Sequence, residues 1–251
     1  MGERVRLDID GAVRTVTLDR PEKGNAMDAA MLRELEAAFD PDPGPGPAER
    51  VAVVRAEGRV FCAGLDLRGD LGKAQDVEVL FHRVETWPLP VVAIVQGAAI
   101  AGGNELALHC DLVVASDAAR FGMSLAQVGL APSWFLTKKL VEVAGPVTTR
   151  EILLLGDPLP AARMAELGLI ARCVPADELE SQASAVIDRL VRNAPLSLRA
   201  MKATINRQMA YRDGIAHADT DDLVRSAMRS ADAKEGVRAR MDRREADFTG
   251  T

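Results

Sequence analysis

The chain opens on alternating apolar and polar positions. Val5-Arg6-Leu7-Asp8-Ile9 and Val13-Arg14-Thr15-Val16-Thr17-Leu18 flank Asp10-Gly11. A period of two on either side of a two-residue turn signal predicts a β-hairpin. The period then lengthens. Met31, Leu32, Leu35 and Phe39 follow Asp28 near helical spacing, which predicts an Asp-capped helix from Ala29 to Phe39. Pro41 to Pro47 (PDPGPGP) breaks both patterns and reads as a stiff exposed loop. Short apolar runs come next, at Val51 to Val54, Val60 to Ala63, Val91 to Val95 and Leu112 to Ala115. They alternate with helical patterns at Val77 to Trp87, Glu105 to His109 and Thr137 to Val143. Unbroken Val/Ile runs between helices predict parallel strands covered on both faces, in a loosely repeated ββα arrangement. From Asp177 onward the strand signal disappears. Apolar stripes over Asp177 to Asn193, Leu196 to Arg212, Ile215 to Ser230 and Lys234 to Phe248 predict four helices, with Pro195 tolerated at the start of the second. The expectation is an α/β core over residues 1–175 and a helical region over 176–251, of a kind that often packs on partner subunits.

Composition narrows the classes. The 251 residues are 48% hydrophobic and 27% charged, a soluble globular balance. A chain this long buries about three quarters of its unfolded surface and needs no disulfide staples. A net charge of -6 gives no support to non-specific nucleic-acid binding. Cys62, Cys110 and Cys173 are odd in number and widely spaced, so they read as buried thiols in a reducing cytoplasm. His82, His109 and His217 lack metal spacing, and no metal site is expected. The charged start MGERVRLDID has no signal-peptide core, and no apolar stretch approaches the roughly 18 residues a bilayer span needs. A cytoplasmic protein without membrane contact is therefore expected. Gly122-Met123-Ser124-Leu125-Ala126 mimics a nucleophile elbow but lacks its last glycine and a leading strand. No P-loop or dinucleotide fingerprint follows a strand.

Two segments carry candidate chemistry. In PVVAIVQGAAIAGGNELALHCDLVVAS an apolar strand ends at Gln96-Gly97. The chain then crosses Ala98, Ala99, Ala101, Gly102 and Gly103 before a helix bearing Glu105. Small residues let a backbone or ligand approach closely. The first N–H groups of the helix lack intrahelical partners and sit at its positive end, which suits an anionic oxygen. The same residues also suit tight strand–helix packing, with Glu105 as a favourable first-turn acid. In GRVFCAGLDLRGD the apolar run from Val60 to Ala63 stops at Gly64, freeing the next N–H groups to point elsewhere. Alone, this segment reads as an ordinary strand end.

Taken together, and with RPEKGNAM near the start and KEGVRARMDRREADF near the end, the segments resemble the enoyl-CoA hydratase/isomerase (crotonase) family from Val13 to Phe248. Leu18-Asp19-Arg20-Pro21…Asn25-Ala26-Met27 is similar to the family's opening signature. Phe61 to Asp66 and Gly97…Gly102-Gly103-Asn104-Glu105-Leu106-Ala107 resemble its two oxyanion-hole segments. The resemblance implies an α/β, crotonase-like spiral of ββα units with a C-terminal helical trimerisation region. It also implies a homotrimer or dimer of trimers. It implies an acyl-CoA substrate that carries coenzyme A with it, and no other cofactor. The N–H groups of Leu65 and Gly102 would hold the thioester oxygen, and Glu105 would be the catalytic acid/base. Partial burial is expected to raise the pKa of Glu105. The bent CoA would lie against Glu22, Lys23, Gly24, Ala63, Gly64 and Asp66. Arg243 and Arg244, on this or a neighbouring subunit, are candidates for its phosphates, with a solvated helix face as the plain alternative.

The sequence departs from the family at two neighbouring places. Hydratases of the family use two glutamates around one water. Glu105 matches the first, but Ser124-Leu125 stands where the second usually lies, and Leu125 cannot transfer a proton. The usual glycine-rich turn is replaced by Ser133-Trp134-Phe135-Leu136. Leu125, Ser133 and Trp134 are thus expected in the acyl pocket. Asp70, Asp76, Glu78 and His82 fall in the segment that borders this pocket in the family and read as solvated. A single carboxylate still suffices to move a proton between two carbons. The expected reaction is hydration or double-bond isomerisation of an enoyl-CoA through a thioester enolate. The alternative is an acyl-CoA binder without catalysis.

Overall fold

The computed structural model describes residues 4–66 and 74–251, with backbone alone at 74–76. β1 (Val5–Asp10) and β2 (Val13–Leu18) pair antiparallel, and Asp10 faces Val13. The hairpin turns at Gly11-Ala12, one residue later than the Asp10-Gly11 expected, and Gly11 supplies the positive φ of 55°. In α1 (Ala29–Ala38) the Asp28 side chain accepts from the N–H groups of Ala30 and Met31, and Met31, Leu32 and Leu35 are buried.

Three ββα units follow. The first is β3 (Val51–Ala56), β4 (Val60–Cys62) and α2 (Ala74–Thr86). The second is β5 (Val91–Val95), β6 (Ala98–Ile100) and α3 (Gly102–Leu108). The third is β7 (Leu112–Ser116), β8 (Arg120–Gly122) and α4 (Trp134–Arg150). Then come β9 (Leu159–Pro160), α5 (Ala161–Glu166) and β10 (Arg172–Val174). The first strand of each unit joins a six-stranded sheet of order β1-β2-β3-β5-β7-β10, parallel from β2 onward. The second strand of each joins a four-stranded sheet of order β4-β6-β8-β9. A Cβ at Gly97 would lie 1.9 Å from the Arg59 carbonyl oxygen, so only glycine lets the chain step between the sheets there.

β5 is buried at all five positions, as a strand covered on both faces must be. On one face lie the large enclosed side chains Phe39, Phe61, Phe81, Trp87 and Phe121. On the other, Leu179 and Ala183 of α6 (Leu179–Arg192) pack on Val51, Val53, Val92, Ile94 and Val114. The helices α7 (Pro195–Met209), α8 (Ala218–Arg229) and α9 (Ala231–Asp242) complete the chain. α9 returns to the core of its own chain. A Cβ at Gly236 would fall 2.4 Å from the Val128 carbonyl, and one at Gly129 would fall 2.6 Å from the Asp232 oxygen. Helix and turn therefore meet backbone to backbone.

Candidate active site

β4 ends where Gly64 turns with φ 92°. Beyond it, Met27 N–H donates to Gly64 O (2.8 Å) and Asp66 N–H donates to Met27 O (2.9 Å). This one-residue parallel bridge leaves Leu65 N–H aimed at the opposite side, where no described residue accepts it. The start of α3 comes up against the same spot. Ala101 precedes it with φ 48°, a strained conformation for alanine that is held by its N–H bond to Gly122 O at 2.8 Å. Gly102 N–H opens the helix and also lacks a described acceptor. The two turns are in close approach. A Cβ on Gly64 would lie 3.2 Å from the Gly102 nitrogen, and a Cβ on Gly102 would lie 3.7 Å from the Leu65 nitrogen.

Both residues line a cavity of about 220 Å³. Ala63, Leu125 and Ser133 line it too. Ser133 Oγ accepts from Leu136 N–H and caps α4. Trp134 does not share this lining. Its ring stacks on His217 at 4.6 Å, with 3° between the planes, and so ties α4 to the approach of α8. The tail closes the cavity through Val224, Met228 and Arg240. A wider, open cleft of about 910 Å³ lies between α2, α4 and α7, but neither Leu65 nor Gly102 reaches it.

Glu105 lies one turn beyond Gly102 on the same face of α3. It is fully buried behind the cavity wall rather than on its lining, more enclosed than the partial burial expected. Neither carboxylate oxygen has a hydrogen-bond partner. Burial pushes its pKa up to about 8, against the opposing charge of Lys139 and with help from Glu78. The group is therefore protonated at neutral pH. One turn further, His109 Nδ1 lies 2.8 Å from the Glu105 carbonyl oxygen and 3.7 Å from Oε2. Its ring is sandwiched between Phe81 and Phe135 at 5.2 and 5.1 Å. Burial pushes the His109 pKa down to about 3, so the imidazole stays neutral and donates from Nδ1 to the carbonyl.

The residues expected to face CoA come together on one side. Ala63 N–H donates to Gly24 O at 2.9 Å, and Arg20 holds Asp66 at 2.8 Å. Lys23 and Glu22 are exposed on the short turn Pro21–Lys23 beside them. Two residues of the opening signature, to which the sequence reading assigns no role of their own, hold this group in place. Arg20 also donates to Ala26 O, and fully buried Asn25 donates to Glu57 O and Val60 O. Asn25 has a positive φ, which a short polar side chain tolerates, but nothing in the local pattern marks it as a fastener. Arg243 ends α9 with φ 55°, and Arg244 is engaged by Glu235 at 2.9 Å within the same chain. His82 lines the wider cleft, whereas Glu78 lines the cavity as well. Asp70 and the side chain of Asp76 lie outside the described residues.

Known proteins resemble this chain in fold and in sequence. The structure of an enoyl-CoA hydratase from Mycobacterium avium subsp. paratuberculosis superposes with a TM-score of 0.88 at 27% identity, covering 98% of both chains. A methylmalonyl-CoA decarboxylase complexed with 2S-carboxypropyl CoA superposes at 0.91 over the whole of both chains, but at 21% identity this shows the fold alone. A Thermus thermophilus protein named "Putative enoyl-CoA hydratase" is 34% identical over 95% of this chain and 98% of its own. The pattern of one family, enoyl-CoA hydratase/isomerase, matches residues 8–251. With the spiral of ββα units, the paired turns at Leu65 and Gly102 and this match over nearly its whole length, the chain belongs to the enoyl-CoA hydratase/isomerase family.

Proposed function

We propose that the protein acts on an enoyl-CoA thioester, adding water across the double bond or moving it, through an enolate held by Leu65 and Gly102. The observation that carries this reading is the pair of N–H groups on one cavity wall that no described residue accepts, with a protonated Glu105 one helical turn beyond Gly102. As the α-carbon loses a proton, or the β-carbon gains an oxygen, negative charge moves onto the thioester oxygen. Fixed donors lower the energy of that state without reorganising, and a single such donor is worth about 10²–10³ in rate. Glu105 handles the proton at carbon, and its raised pKa suits a group that must both give and take one. CoA would enter as part of the substrate along Lys23, Gly24, Ala63, Gly64 and Asp66, with no further cofactor.

The assembly we infer is a trimer or a dimer of trimers. Exposed Leu196, Met201 and Ile205 on α7, Val147 on α4, and Leu154 and Leu155 just beyond α4 supply apolar surface for it. No helix among the described residues is long and apolar enough to cross a membrane. The three cysteines are free, and from them we infer a reducing, cytoplasmic setting.

The test is a panel of 2-enoyl- and 3-enoyl-CoA substrates read by mass spectrometry for added water or a shifted double bond. Turnover that disappears in Glu105→Gln is expected. Tight acyl-CoA binding with no turnover by the unaltered protein would instead establish a binder.

A further inference from the structure

Glu78 reads as a solvated acid in the sequence, but the fold gives it another place. It follows buried Val77 on α2 and stands one turn before buried Phe81, and all three line the 220 Å³ cavity that holds Leu65 and Gly102. Among the described residues, Glu78 and Arg240 are the only charged side chains on that lining. Both lining serines are committed elsewhere. Ser124 Oγ donates to Gly156 O at 2.7 Å, and Ser133 Oγ accepts from Leu136 N–H at 3.3 Å. Leu125 brings no polar atom. Glu78 forms no hydrogen bond or ion pair with any described residue, so its oxygens are available to a ligand. Among the described residues it alone lines both this cavity and the 910 Å³ cleft, and so stands between the two spaces. Its charge reaches Glu105, because it is among the causes that raise the pKa of that group.

We propose that Glu78 is the second carboxylate of the reaction cavity and takes up the role that Leu125 cannot perform. The inference rests on the acyl-CoA reading above and selects hydration within it. Water bonds through its oxygen to the β-carbon of the 2-enoyl thioester. One water O–H bond breaks, and its proton passes to Glu78. The electron pair of the double bond shifts toward the α-carbon and the thioester oxygen, which Leu65 and Gly102 N–H groups hold. Glu105 then releases its proton to the α-carbon. The proton on Glu78 leaves through the wider cleft, and Glu105 regains one from solvent, so the net change is addition of one water.

Four proteins test this: the unaltered chain, Glu78→Gln, Glu105→Gln, and Glu78→Gln combined with Leu125→Glu. Each is assayed for hydration of crotonyl-CoA and for exchange of the α-proton of butyryl-CoA in D₂O, with thermal melting as a check on folding. Glu78→Gln should lower kcat for hydration about 10²–10⁴-fold, with KM changed less than about threefold and α-proton exchange retained. Glu105→Gln should lose both activities, and Leu125→Glu should restore part of the hydration lost with Glu78. Hydration at the full rate by a folded Glu78→Gln variant overturns the proposal. An unaltered protein that exchanges the α-proton or moves a double bond without adding water overturns the role of Glu78 and leaves that of Glu105 standing. An unaltered protein with neither activity overturns both.

Discussion

Glu105→Gln should leave the protein progressively more stable than its parent as the solution becomes alkaline. The Glu105 carboxyl is enclosed, both of its oxygens lack partners, and its pKa is pushed up to about 8 from the ordinary 4.5. In the unfolded chain the proton leaves near pH 4.5, while in the folded chain it stays until about pH 8. Between those values the folded state holds one proton more, so raising the pH favours unfolding by ~1.4 kcal/mol per unit. Below the lower value this destabilisation is absent, and above the upper value it is constant. Integrated from pH 5 to pH 8, the loss is about 3 kcal/mol. Glutamine has the same shape and no charge to lose, so its stability should lack this slope. A buried amide carries its own unmet hydrogen bonds, at about 1–3 kcal/mol for each group at every pH, so the change in the gap is the quantity to measure. Melting curves for both proteins across this range supply it. In a chain of this length one kcal/mol moves Tm by roughly 2–4 °C, so the gap should widen by about 6–12 °C. Parallel curves would refute the enclosed, protonated Glu105 on which the proposed chemistry relies.

Other substitutions probe the same region. In Gly102→Ala the new Cβ meets only the flexible end of Met27, at 2.8 Å, and stands 3.7 Å from the Leu65 nitrogen. Stability should change by less than about 1 kcal/mol, while steady-state turnover of an enoyl-CoA falls about 10²-fold as the space between the donors fills. In Gly103→Ala the Cβ would sit 2.1 Å from the Cys62 carbonyl oxygen, where no side chain can yield. Denaturant titration should show a loss of about 1–3 kcal/mol or more. His109 has its pKa held down to about 3 from 6.5, so the unfolded chain takes up that proton first and the parent loses stability as pH falls through that window. His109→Phe keeps a ring between Phe81 and Phe135, and its unfolding midpoint should lack this acid-side decline.

Much of the fold is visible in local pattern because burial on both faces demands unbroken apolar runs, and β3, β5 and β7 supply them. β6 and β8 escape that reading. They are three residues each, and Ala98-Ala99 lacks the branched side chains that mark a strand. α4 extends on both sides of its expected span, Thr137 to Val143, reaching from Trp134 to Arg150 through a kink at Gly145-Pro146 that interrupts the period. In the site, the glycine turn before Glu105 is readable because close backbone approach requires small residues. The place of Trp134 is not. Its bulk suggests a pocket wall, but its partner His217 comes from a distant stretch of chain. Glu78 is hidden for the same reason, since an acid on an amphipathic helix looks solvated until a second and third element enclose it. The return of α9 over the core shows in sequence only as two glycines, Gly129 and Gly236.

That return divides the cavity between two parts of the chain. The N–H groups of Leu65 and Gly102 and the Glu105 behind them belong to the ββα units, while Val224, Met228 and Arg240 overhead belong to the last two helices. On the proposed reading, tolerance for a longer, branched or charged acyl tail can thus drift through substitutions in α8 and α9 that leave Leu65, Gly102 and Glu105 in place. Descendants of such a chain would diverge in diet while inheriting the proton chemistry proposed for Glu105.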